Sequence, residues 1–187
     1  MWYKKIPDYA NLVDPVAEIR PTVKMHYETN DRIIGPAAYS MLHYHYVIPL
    51  DKISPATKFP NTPSGMRVLE SDADGPLAIH ELSADKNKPE LIATFLGEKF
   101  ISDFQNAISK IKVKEKDENN GEIRSITIPA LNVEAVWLHY KEGNSDLISL
   151  VWEFDANDKE LLKPAQFMAY LIKRKNKLGE IKDGMGG

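Results

Sequence analysis

Eight of the twelve prolines in this 187-residue chain fall before residue 64. Pro7, Pro15, Pro21, Pro36, Pro49, Pro55, Pro60 and Pro63 each fix φ and remove a backbone donor, so few segments between them have room for a long helix. Residues 1–65 are therefore expected to be irregular or to form short strands. The same stretch holds six of the eight tyrosines, Trp2 and three of the five histidines, more aromatic surface than a disordered arm carries. It is expected to wrap around a core built by the rest of the chain.

In that remainder the periodicities are clear. Residues 66–69 and 77–82 read as strands flanking Ser71-Asp72-Ala73-Asp74-Gly75, whose turn formers suit a hairpin. Pro89 suits the first turn of a helix. Ile92, Phe95, Leu96, Phe100, Phe104, Ala107, Ile108 and Ile111 then recur at helical spacing, predicting one helix over 91–111 with a single apolar stripe. Charges and Asn119-Asn120-Gly121 mark a solvated turn, with 112–114 as a candidate strand start.

Residues 122–128, 133–140 and 147–154, rich in β-branched and aromatic side chains, predict a three-stranded meander. Its middle member is apolar on both faces and so central, while Pro129 belongs at a strand end. Asp155, Asn157 and Asp158 are capping candidates ahead of a helix over 164–177, and the tail 179–187 is expected to fray.

Strands grouped around separate helices favour an α+β fold: a mostly antiparallel sheet of about five to six strands packed against two helices, with the Pro-rich segment wrapped on the core. The length suits one domain spanning 1–187, made of the wrapping segment 1–65, a regular core 66–178 and the tail. A 43% hydrophobic and 27% charged composition is that of a chain that folds.

Composition also narrows the function classes. A net charge of -3 and a pI near 6.0 argue against nucleic acid as the partner. The one dense basic run, Lys173, Arg174, Lys175 and Lys177, falls where a helix end accommodates cations. The absence of cysteine excludes disulfides, thiolate nucleophiles and Cys-ligated zinc. Residues 1–8 lack the apolar run of a signal peptide, and no apolar stretch approaches the ~20 residues of a membrane span. A cytoplasmic location is favoured, with a secreted or periplasmic one after removal of a leader left open.

Three features could carry chemistry. In His43-Tyr44-His45-Tyr46, strand alternation places both histidines on one face, where with a third ligand they could hold a divalent metal, and both tyrosines on the other. The alternative is a sheet segment whose histidines bond to backbone or solvent. The run from Glu70 to Glu81 fits the ligand spacing of a calcium-binding EF-hand loop at places one, three, five and twelve, but Pro76 and Ala78 occupy ligand places and the flanks read as strands, so an Asp-Gly turn is the better reading. Tyr44, Tyr46, Trp137 and Tyr140, within a wider aromatic set that takes in Trp2, Tyr39, His139 and Trp152, could line a groove for a ligand, against the plainer reading of a core filling. No nucleophile elbow, dinucleotide fingerprint or P-loop is present.

The expectation is accordingly a non-catalytic binding or interaction module using an aromatic surface. Its protein or small-molecule partner is unspecified, no cofactor is called for, and enzymatic activity is the less favoured reading. A metal-dependent hydrolase centred on His43 and His45 is the alternative. A structural subunit of a homo-oligomer is the next.

Overall fold

The computed structural model describes residues 10–30, 32–85, 87–114, 121–140, 146–152 and 160–184. The Asn119-Asn120 turn, the 141–145 hairpin loop, the capping candidates Asp155, Asn157 and Asp158, Trp2 and the last three residues of the tail lie outside them. The elements run α1 (Ala10–Glu28), β1 (Ala38–Val47), β2 (Gly65–Asp72), β3 (Gly75–Ser83), β4 (Leu91–Phe95), α2 (Glu98–Lys114), β5 (Gly121–Ile128), β6 (Val133–Tyr140), β7 (Leu147–Leu150) and α3 (Pro164–Gly184).

The architecture is α+β, with one sheet of order β4-β3-β2-β1-β5-β6-β7. Two antiparallel meanders, β1 to β4 and β5 to β7, meet where β1 and β5 pair in parallel, Tyr44 opposite Arg124 and Val47 opposite Thr127. The sheet is therefore mixed, with seven strands rather than five or six and three helices rather than two. The parallel seam requires a long crossover, which α2 supplies between β4 and β5.

The hairpin forms where the sequence places it. Asp72 accepts from the Asp74 and Gly75 amides, and Gly75, at φ +131, takes a conformation that side chains rarely adopt. The meander β5-β6-β7 also forms, with β7 ending at Leu150 where the sequence carries the strand on to 154. Its middle strand turns Ala135 and Trp137 toward α3 and Val136 and Leu138 toward α2. Pro129 ends β5 by opening a one-turn 3-10 helix.

Four expectations are corrected. Residues 10–28 are helical despite Pro15 and Pro21: Val16, Val23 and Tyr27 are buried against Leu42, Met66, Leu77 and Ala78, and that packing outweighs the local cost of two prolines. Residues 91–95 are a strand, and the helix starts at Glu98, its first internal bond running from the Ile101 amide to the Gly97 carbonyl. Lys112 to Lys114 finish that helix and begin no strand. α3 starts at Pro164 as predicted but continues through Gly179 to Gly184, so the basic run sits inside it.

The helices divide between the two faces. α2 buries Ile101, Phe104, Ala107, Ile108 and Ile111 against Leu69, Ile79, Ile123, Val136 and Leu138. Each such side chain contributes about 1.5–3 kcal/mol by leaving water. On the opposite face α3 sets Phe167, Met168 and Leu171 against Tyr46, Ile126, Trp137 and Ile148, and α1 lies over β2 and β3. Lys175 donates to the Ile53 carbonyl at 2.9 Å and Arg174 to the Leu131 carbonyl at 3.3 Å, so two of the four basic residues fasten α3 to the body. Among the described residues no helix is long and apolar enough to cross a membrane.

Candidate functional site

A charged residue inside an apolar strand needs a partner or it is costly to bury. Two such residues stand out, Arg67 between Met66 and Val68 on β2, and Glu134 between Val133 and Ala135 on β6. Both side chains point to the α2 face and both are buried, at 2% and 4% exposure. Arg67 Nε and Nη2 donate to Glu81 Oε2 on β3 at 3.1 and 2.9 Å, and Nη1 donates to Glu134 Oε1 at 2.5 Å. The Thr127 hydroxyl donates to Glu134 Oε2 at 2.6 Å. The guanidinium lies 5.2 Å from the Phe95 ring centroid.

Arg67, Thr127 and Glu134 of this cluster form one wall of a half-open cavity of about 390 Å³, with Glu81 behind them. The end of β4 brings Phe95 to the cavity, the first turn of α2 brings Phe100, and Trp152 enters just after β7. The β5–β6 connection, from Pro129 to Val133, completes the lining. The three rings form an arc: Phe95 and Phe100 centroids are 5.3 Å apart, and Phe100 and Trp152 are 5.6 Å apart, tilted by 50° and 53°. Burial pushes the Glu134 carboxyl up from its ordinary range, against the pull of Arg67 and Thr127.

His43 and His45 lie on the same side. β1 carries a bulge between Ser40 and His43, where Met41 holds φ 57, an uncommon value for a side-chain-bearing residue. The following His43 bonds through Nδ1 to the Met41 carbonyl at 2.6 Å and stacks on Phe104 at 5.5 Å. His45 Nδ1 is 2.9 Å from Ser125 Oγ, and its Nε2 is 3.7 Å from Glu81. Burial pushes His43 down to about 4; burial, with the nearby Arg67 charge, pushes His45 down to about 2. Both are neutral at pH 7, so the Nδ1–H of His43 donates to Met41 and its Nε2, buried without a partner, keeps a lone pair. Among the described residues no three His, Asp or Glu side chains are grouped to hold a metal.

Of the four aromatic residues expected to line a groove, three pack together under α3 and the fourth lies on the other face. Tyr46 and Trp137 are buried under α3, their centroids 5.6 Å apart with the Arg124 guanidinium over both rings, and Tyr44 packs beside them. Tyr140 packs on the α2 side. Trp137 Nε1 donates to Asp146 at 2.8 Å, and the same carboxylate bonds His139 and the Tyr140 amide.

The acids of the hairpin diverge as well. Glu70 pairs with Arg20 and, at 2.7 Å, with His80 on the α1 face; Glu81 pairs with Arg67 on the other face; Asp72 is taken up by Arg32 and three backbone amides. With strands rather than helices on both sides, the segment is a turn and lacks the geometry of a calcium loop.

No motif picks out Arg67 and Glu134, while Glu81 enters the sequence reading only through the calcium-loop spacing, Phe95 and Phe100 only as a core stripe, and Trp152 only as one of a wide set of groove aromatics. The available signal was the isolated charge within each of two apolar strand runs. Comparison with known proteins finds no matching family model, no matching curated protein and no matching solved structure.

Proposed function

We propose that this chain is a binding protein for a small molecule, and that its site is the cavity between the start of α2 and the sheet. One observation carries the reading: an aromatic arc and the buried Arg67–Glu134 ion pair line the same half-open cleft. Ligand sites have this composition, apolar walls with a few fixed polar groups that set orientation. Arg67 is held by two carboxylates and Glu134 by Arg67 and Thr127, so the polar wall is preorganised. The bulge at Met41, beside this cluster, is a second feature that clusters at functional sites. The aromatic surface expected from the sequence is thus assigned to Phe95, Phe100 and Trp152 in place of Tyr44, Tyr46, Trp137 and Tyr140.

A thermal-shift screen of small molecules, repeated on Trp152→Ala and Phe100→Ala, tests it. A ligand present at about 100 times its Kd should raise Tm by about 5–10 °C in the unmodified protein. The shift should shrink in both variants. A ligand whose shift is unchanged in both variants would place binding elsewhere and refute the assignment.

A further inference from the structure

The charges around the cavity do not balance, and the excess specifies a ligand class. One guanidinium, Arg67, faces two carboxylates, Glu81 and Glu134, while His43 and His45 supply no positive charge at neutral pH. Arg67 gives Glu81 two donors, Nε and Nη2, and turns Nη1 to Glu134. Glu134 receives a single guanidinium donor and is the one of the two carboxylates that lines the cavity. It accepts one bond at each oxygen and, with about four lone-pair sites on a carboxylate, can accept about two more.

Resting on the reading of the cavity as a ligand site, we infer that its ligand is a small organic cation. Its ammonium group meets the Glu134 carboxylate, and its hydrocarbon body lies against the arc formed by the Phe95, Phe100 and Trp152 rings. Aromatic faces carry negative potential and attract cations, Trp most strongly. The site already displays that preference, since Arg67 itself sits over Phe95 at 5.2 Å. Burial pushes the Glu134 carboxyl up because Arg67 and Thr127 do not fully offset its lost hydration, and a bound ammonium would hold the carboxylate in its charged form. An anion would have to compete with two carboxylates for Arg67. A neutral ligand of the same shape would leave the excess charge unmatched.

The test compares benzylammonium, benzyl alcohol and benzoate, which share a ring and differ in the charge of one substituent. Each is titrated into the 15N-labelled full chain while the Trp152 indole N–H, assigned with Trp152→Phe, is followed. The expected result is that benzylammonium shifts this signal and binds about ten-fold or more tightly than the other two. In Glu134→Gln, whose amide can keep both the Arg67 and Thr127 contacts, benzylammonium should fall to the level of benzyl alcohol. The three-way comparison on the unmodified chain stands even if that variant folds poorly. If benzyl alcohol or benzoate moves the signal at least as strongly as benzylammonium, the cation inference is overturned and the cavity reading stands. If none of the three moves it up to about 20 mM, a concentration at which fragments of this size occupy a matched pocket, both are overturned.

Discussion

At the scale of single residues, Arg67 carries the greatest consequence, because it is nearly inaccessible to water and is shared by Glu81 and Glu134. Arg67→Met removes the only described cation contacting those two acids and should cost about 3–5 kcal/mol in urea unfolding at pH 7. The triple variant Arg67→Met, Glu81→Gln, Glu134→Gln should lose far less than the single one, since it leaves no buried charge behind. If the triple variant is as unstable as the single, the loss lies in packing of the arginine stem and not in charge pairing. Asp146 offers a second test. Its carboxylate holds the Trp137 indole, the His139 ring and the Tyr140 amide, so Asp146→Ala should cost about 3 kcal/mol by the same assay.

At the scale of elements, α1 is fastened by a few polar contacts on top of a small apolar seam. Arg20 pairs with Glu70 and donates to the Gly35 carbonyl, and the Tyr27 hydroxyl donates to the Leu77 carbonyl at 2.5 Å. Arg20→Met should therefore raise amide hydrogen exchange throughout Ala10–Glu28 by about ten-fold while α2 keeps its protection. A uniform rise across both helices would show that α1 is no separate unit. The same helix explains what the sequence could and could not convey. The β2–β3 hairpin, the β5-β6-β7 meander and the start of α3 were legible because their signals are local: an Asp-Gly turn, alternation, a proline at the first helical position. α1 was not, because Pro15 and Pro21 argue against a helix locally and only contacts to β2 and β3 argue for it. β4 reads as part of α2 because Ile92, Phe95 and Leu96 fall at a helical spacing that runs on into Phe100 and Phe104, although on the strand Ile92 and Phe95 face opposite sides, and Gly97 is the boundary. At the site, His43 and His45 were legible as a same-face pair. The cavity was not, since Arg67, Glu134 and Trp152 come from segments up to 85 residues apart that only the sheet order brings together.

At the scale of the whole molecule, the parallel seam joining the two meanders is lined on the α2 side by neutral histidine, and a third buried histidine sits under α1. His43 and His80 are held down to about 4 and His45 to about 2, in each case chiefly by burial, against about 6.5 in the unfolded chain. Below pH 6.5 the unfolded chain takes up protons that the folded chain refuses, so stability is complete above that pH and is lost as pH falls toward 4. Each histidine contributes about 2 kcal/mol of that loss between pH 7 and pH 5. Glu134 acts in the opposite sense, because a raised carboxyl favours the folded state as acid is added, and it offsets part of the total. The sum, about 6 kcal/mol before that offset, is a large share of the about 5–15 kcal/mol by which a domain is stable. The urea midpoint should accordingly fall steeply from pH 7 to pH 5, with no change in the metal or salt content of the buffer. His43→Phe, which preserves the stacking on Phe104 and cannot take a proton, should flatten the slope by about a third. A midpoint that stays level over that interval would mean that the seam histidines are already charged in the folded state. Glu81, 3.7 Å from His45, and Glu70, 2.7 Å from His80, would then be the counter-ions.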